Sequence, residues 1–345
     1  MASVCHCLTA APVLIRMYYV KRTGFAFARR CCHIVLALCA ALLLGSSGSC
    51  RAMETVAVLL SEHGGYYSDY LDALNRALIE SLPAGRSVRV IELPAGRERP
   101  DEGALSGVST VIAVGVQAMR VAAVWENAPP VLNVLVPRLS YEKLLAESGR
   151  NRRRAQFSAI YLDQPLSRQI NLIAQILPGK RRISALLGPD SALLLPRLRT
   201  VTSRVGLELV SEEVTSESEI IPALARLLSA GDLLLALPDS VVFTRDTARS
   251  VLLTTYRYRK PLIGFSHAYV NSGALAAAFS TPAQIARQTA ELLRALPPGR
   301  AALPGPLFPT YFSVAVNRSV ARALALDIPS DVLLQAMLSG MPEGE

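Results

Sequence analysis

"KPLIGFSHAYVNSGAL", Lys260 to Leu275, decides between two kinds of α/β protein. A proline leads into a short apolar run and then Gly264-Phe265-Ser266-His267-Ala268, one residue short of the Gly-x-Ser-x-Gly turn that presents the nucleophile of α/β-hydrolases. In those enzymes the histidine follows the serine in chain order. Past residue 52 this chain has two histidines: His63 lies far upstream of Ser266, and His267 is its immediate neighbour. Asn271-Ser272-Gly273 also interrupts the helix such a turn requires. Ser266 therefore lacks a base to activate it. The stretch reads instead as a strand that ends at a ligand cleft, followed by a return of the chain.

Outward from this point, short β-branched or leucine-rich runs alternate with longer segments of helical period, the pattern of parallel sheets covered by helices. Strands are expected at Val56 to Leu60, Val88 to Leu93, Thr110 to Val114 and Val131 to Val136. A second series follows at Phe157 to Tyr161, Arg182 to Leu187, Leu207 to Val210, Leu233 to Leu237 and Leu262 to Phe265. Leu71, Leu74, Leu78 and Leu82 recur at three and four residues, which predicts a helix stopped by Pro83 and Gly85. The polar "GRNRRRAQ", Gly149 to Gln156, separates the two series and reads as a solvated domain boundary. After Leu275 come an apolar run, a helix from Pro282, a link rich in proline and glycine, and a last run from Tyr311 to Val316. That order suits a chain passing back between two lobes. The expected layout is 53–156 with about 275–305 as the first lobe, 157–274 with about 306–335 as the second, and 336–345 as a tail.

The first 52 residues contain Arg16, Lys21, Arg22, Arg29, Arg30 and Arg51, no acid, and an apolar run from Ile34 to Leu44. A basic flank, an apolar stretch and small residues before Met53 form the layout of a signal peptide, and the run falls short of the about 20 apolar residues of a spanning helix. Cys50, after Gly45-Ser46-Ser47-Gly48-Ser49, is a lipidation alternative, although Ser47 stands where a lipoprotein signal carries a large aliphatic residue. All six cysteines lie in this segment, which leaves no thiol chemistry past residue 52. Without these six cations the formal charge of +9 becomes +3, and the main compositional support for nucleic-acid binding goes with them.

Ligands of open α/β sheets bind outside the carboxyl ends of the strands, so those ends name the candidate site. They are Ser61-Glu62 with Tyr66, Gly115 with Gln117, Pro137-Arg138, Tyr161 with Asp163, Asp190-Ser191, Asp239-Ser240, and Ser266 with Tyr269. Each alone is commonly a helix cap. Together they resemble the few convergent polar groups of a cleft with aromatic walls. Neither a phosphate-binding loop nor a dinucleotide glycine fingerprint is present. A zinc site on His63 and His267, with Glu62 or Asp239, lacks any ligand-spaced pair, so no metal or cofactor is expected. Trp125 reads as core.

Three stretches, "VAVLLSEHGGYYSDYLDALNRAL", "LLLALPDSVVFTRDTARSVLLTTYRYRKPLIGFSHAYVNSGALAAAFSTPAQIARQTAELL" and "FSVAVNRSVARALALDIP", resemble the ABC transporter substrate-binding family that includes tryptophan- and tyrosine-binding components. The resemblance implies a type I periplasmic binding protein: an α/β protein of two Rossmann-like lobes, their parallel sheets flanked by helices and joined by a three-segment hinge. It implies a small ligand, an amino acid or similar molecule, trapped between the lobes of a monomer and presented to an ABC permease. It places Ser61, Glu62, Gly115, Gln117, Asp190, Ser191, Asp239, Ser240, Ser266 and Tyr269 at the cleft. Ser61, Ser191 and Ser240 would hold a carboxylate; Glu62, Asp190 or Asp239 an ammonium; and Tyr66, Phe265 and Tyr269 the side chain. The loop Glu62-His63-Gly64-Gly65-Tyr66-Tyr67 departs from the amino-acid-binding members. Sensing for a membrane receptor is the alternative role, and a periplasmic enzyme with Glu62 or Asp239 as acid or base is the other class.

Overall fold

The computed structural model of the protein describes residues 53–81, 87–93, 105–125, 129–148, 156–297 and 302–343. All belong to one compact unit, Ala52–Glu345. The expected signal segment, and most of the expected boundary at Gly149 to Gln156, lie outside the described residues.

Two sheets organise the chain. The first has the order β2-β1-β3-β4-β5, formed by β1 (Met53–Leu60), β2 (Ser87–Leu93), β3 (Val108–Val114), β4 (Val131–Val136) and β5 (Phe157–Tyr161), all parallel. Residues of β1 alternate between its two faces. Val56, Val58 and Leu60 pack under α1 (Gly65–Ser81) and α9 (Pro282–Ala295), while Ala57 and Leu59 pack under α2 (Val116–Ala123) and α3 (Arg138–Glu147). A strand covered on both faces needs apolar residues at every position, and Val56 to Leu60 supplies them. Tyr70, Leu74 and Leu78 form the buried stripe of α1. α9 starts with Pro282 in its first turn and a capping box between Thr281 and Gln284.

The second sheet repeats the same winding. Its strands β6 (Arg182–Leu187), β7 (Glu208–Glu213), β8 (Leu233–Leu235), β9 (Leu262–Gly264), β10 (Ala276–Phe279) and β11 (Ser313–Val316) lie in the order β11-β10-β9-β8-β6-β7. Read from β6, the five parallel strands have the order of the first sheet; β11 adds an antiparallel edge. One face is covered by α4 (Leu166–Ile176), α5 (Leu195–Arg204), α10 (Arg318–Ala323) and α11 (Asp331–Ser339). The other carries α6 (Glu217–Ala230), α7 (Arg245–Arg257) and α8 (His267–Ser272). Pro196 falls in the first turn of α5, and Pro222 is accommodated inside α6.

Three expectations need correction. β5 hydrogen-bonds to β4, so Phe157 to Tyr161 closes the first lobe rather than opening the second. β10 pairs with β9 and stays in the second lobe, and only α9 with the chain near Leu303 returns to the first. Residues 336–343 are no loose tail, because α11 buries Leu334 and Leu338 against the second lobe. Hydrophobic period identifies strands but not their partners, which explains why these assignments moved.

The chain crosses between the sheets three times: after β5, after β10, and between Phe308 and β11. Those crossings form the hinge.

The candidate ligand cleft

In each lobe the strand order reverses beside the first strand, between β1 and β3 and between β6 and β8. At such points the loops diverge and leave a crevice. The first switch point is tied by Ser61, whose Oγ donates to the Val114 carbonyl at 2.8 Å and accepts the Ala118 N–H at 3.0 Å. Gly115 must be glycine here: its φ is +87°, and a Cβ would lie 2.5 Å from Ser61 Oγ.

The second switch point is tied by a reciprocal pair of aspartates. Asp239 Oδ2 accepts the Ser191 N–H at 2.9 Å, the Ser191 hydroxyl at 2.8 Å and the Asp190 N–H at 3.2 Å; Oδ1 accepts the N–H groups of Val241 and Val242. Asp190 in turn accepts the Ser240 N–H and hydroxyl, at 3.2 and 2.5 Å. Burial by itself raises the Asp239 pKa, but the N–H groups of Ser191, Val241 and Val242 and the Ser191 hydroxyl hold it below the usual aspartate value. This carboxylate packs against Gly188, where a Cβ would lie 2.1 Å from Asp239 Oδ1.

Between the lobes lie two adjoining cavities of about 440 and about 520 Å3. Each is within the roughly 300–1,000 Å3 of small-molecule sites. The smaller is walled by α3 of the first lobe and by Asp190, Pro238, Asp239 and Ser240 of the second. The larger is walled by Tyr66, Phe265, His267 and Phe279, with Ser266 and Ser280. Pro137, Asp163, Gln164, Gln169 and Pro238 border both. Leu135, just before Pro137, has a φ of +53° where the register between β4 and β5 slips. A bulge at a strand end re-aims the residues after it, and here it delivers Pro137 and Arg138 to the cleft.

The hinge behind the cleft is built from polar side chains. Ser280 Oγ accepts from Gln164 Nε2 at 2.9 Å and donates to the Tyr311 carbonyl at 2.7 Å, which links all three crossings. Tyr66 donates its hydroxyl to the Ser280 carbonyl at 2.9 Å. Arg168 bonds the Gln164 side-chain oxygen, the Pro309 carbonyl and Glu343, and lies 4.0 Å from the Phe312 ring centroid. Burial pulls its pKa down against the opposing pull of Glu343.

Of the residues expected at the site, Asp190, Asp239 and Ser240 border the smaller cavity, and Tyr66 and Ser266 the larger. Ser61, Gly115 and Ser191 stand behind the cleft in the switch-point networks. Glu62 and Gln117 are exposed and border neither cavity. Tyr161 is buried edge-on against Tyr141 and Phe308, and Tyr269 is buried against Phe243 and Phe265. Ser266 Oγ accepts the Tyr269 N–H at 3.3 Å and so caps α8, the six-residue helix that does follow the serine.

Among the lining residues that the sequence reading did not single out, Gln164 and Gln169 border both cavities. Gln169 is 3% exposed, and among the described residues its Oε1 has no hydrogen-bond partner. A buried acceptor left unmet costs about 1–3 kcal/mol. A glutamine in the first turns of an amphipathic helix gives no sequence signal that would single it out.

Two lobes of identical winding, three crossings and a cleft at both switch points define a type I periplasmic binding protein. The chain belongs to the family described as ABC transporter substrate binding protein, whose model matches residues 162–338. Among solved structures it resembles the ligand-free, open form of CD0873, a substrate binding protein with adhesive properties from Clostridium difficile. That match has a TM-score of 0.59 at 14% identity over 81% of this chain and 97% of the other. An ABC domain from Streptococcus pneumoniae in complex with L-Trp gives 0.53 at 15% identity, with the same coverage. A conserved domain protein from Vibrio cholerae gives 0.52 at 19% identity, again over 81% and 97%. No curated protein matches the sequence. Among the described residues no helix is long and apolar enough to cross a membrane.

Proposed function

We propose that this chain is a periplasmic solute-binding protein that encloses one small polar or aromatic molecule, of amino-acid type, and presents it to an ABC permease. The observation that carries this reading is the pair of adjoining cavities, whose walls come from both lobes and whose back is the three-crossing hinge. A ligand touching both walls favours the closed arrangement by its differential contacts, and that arrangement is what a membrane partner recognises. Binding without catalysis is supported by the use of the polar groups. Ser266 is a helix cap, and Asp239 is saturated by donors of its own lobe.

The test is a thermal-shift screen of the purified protein against amino acids, nucleobases and small carboxylates, starting with L-tryptophan and L-tyrosine. A saturable rise in Tm is expected, with the ligand recovered unaltered and the particle contracting in X-ray scattering. Recovery of a converted product would overturn the binding reading in favour of an enzyme.

A further inference from the structure

The carboxyl ends of the second lobe's parallel strands carry the cleft, and their amino ends, at the opposite pole, carry charge mainly of one sign. Lys180, Arg181 and Arg182 lead into β6, while Arg257, Arg259 and Lys260 finish α7 and lead into β9. All are exposed except the half-buried Lys260. Asp232 leads into β8, the strand between these two, and joins the runs. Its Oδ2 accepts the N–H groups of Arg182 and Arg181, each at 3.0 Å; these bonds, with the charges of Lys180 and Lys260 beside it, hold its pKa below the usual aspartate value. Glu208, the Cα partner of Arg182, is the other carboxylate at the starts of β6 to β9. Six cations against two carboxylates leave an excess of four positive charges. Among the described residues none of the six cations is in an ion pair.

Apolar surface accompanies the charge. On the last turns of α7, Tyr256 is 74% exposed and Leu253 48%. Arg259 adds an independent observation: its φ is +51° in the left-handed position that closes α7, where its N–H donates to the Tyr256 carbonyl at 3.0 Å. Glycine is the usual residue at such a helix end, and a side chain there costs stability. The chain keeps an arginine in spite of that cost. A soluble polyanion answers the charge and leaves Tyr256 and Leu253 in water. An anionic bilayer answers both, because lipid phosphates pair with arginine and lysine while tyrosine and leucine side chains lie at the headgroup boundary. We propose that this pole of the second lobe docks the protein on an anionic membrane surface, through the cations around Asp232 and the exposed Tyr256 and Leu253. The cleft lies at the other ends of the same strands, so docking leaves it open to solute.

Co-sedimentation of the purified protein with lipid vesicles tests this. Vesicles of equal parts phosphatidylglycerol and phosphatidylcholine are expected to bind it about tenfold or more tightly than phosphatidylcholine alone, with the difference shrinking as salt is raised. Arg259→Gly should lose about fivefold on the anionic vesicles, while its Tm is unchanged or higher because glycine relieves the left-handed backbone. Tyr256→Ser should weaken binding at every salt concentration. Arg245→Gln, an equal loss of charge at the opposite end of α7, should bind as the wild type does. Equal binding to both kinds of vesicle overturns the inference, as does binding to neither. Wild-type affinity in Arg259→Gly or Tyr256→Ser, or an equal loss in Arg245→Gln, also overturns it. Retention on heparin without vesicle binding assigns the pole to an anionic polymer and overturns the bilayer as its partner.

Discussion

Gln164 Nε2 donates to Ser280 Oγ at 2.9 Å, a bond from the first crossing of the chain to the second. The same hydroxyl passes its own proton to the Tyr311 carbonyl on the third crossing. Both Gln164 and Ser280 are buried, so neither partner has water to replace the bond. Three polar groups on three separate segments therefore fix where the lobes pivot.

Ser280→Ala leaves a buried amide donor and a carbonyl without partners. A loss of about 1–3 kcal/mol is expected, read as a lower urea midpoint at unchanged slope. An unchanged midpoint would mean that the hinge is held by packing alone.

Ser61→Ala separates the structural from the ligand-contacting role of the first loop. Its hydroxyl bridges Val114 and the first turn of α2 and borders neither cavity. Stability should fall by about 0.5–2 kcal/mol, the cost of a lost helix cap, with ligand affinity unchanged in a titration. A large affinity loss at unchanged stability would return Ser61 to the ligand.

Asp239→Asn tests the switch-point network and carries a pH signature. The carboxylate has a depressed pKa in the folded protein. Its contribution is therefore present above the ordinary aspartate pKa of about 3.9 and is lost as pH falls through the lower folded value. The variant should be less stable by about 1.5–3 kcal/mol near neutrality, with the difference shrinking below about pH 4. A gap that stays constant in acid would show that charge plays no part in it.

Tyr66 and Tyr269 have their pKa values pushed up to about 12, by burial in both and by the nearby Asp69 for Tyr66. A raised phenol pKa favours the folded state below the unfolded value of about 10 and loses that contribution as pH rises through the folded value. Phenolate absorbance during base titration should show tyrosines that ionise only near pH 12, with stability falling between 10 and 12. Replacing Tyr66 by Phe should remove one of these late steps. Ionisation of all tyrosines near 10 would contradict the burial of the Tyr269 ring and the enclosure of the Tyr66 hydroxyl against the Ser280 carbonyl.

Much of this was legible in the chain. Val56 to Leu60 announces a strand buried on both faces because every residue in it is apolar, and "LPDS" at Leu237 to Ser240 announces a strand end at a cleft. Asp190, Asp239, Ser240, Tyr66 and Ser266 reached the cavities because strand ends of parallel sheets share one edge. Ser61, Gly115 and Ser191 satisfy the same positional rule, yet their polar atoms face their own lobe. Position along a strand tells which residues reach the edge of a sheet, and does not tell which way a hydroxyl turns once helix starts compete for it.

Local physics alone determined the alternation of strand and helix and the doubling of the α/β series, since each depends on residues close in sequence, and the chain order of the histidines removed the base for Ser266. Tertiary structure decided that Phe157 to Tyr161 belongs to the first sheet, that Ser280 joins three crossings, and that Gln169 stands unmatched between two cavities. Those depend on which distant segments hydrogen-bond to one another, a choice made by the packing of whole sheets and not encoded in any local period.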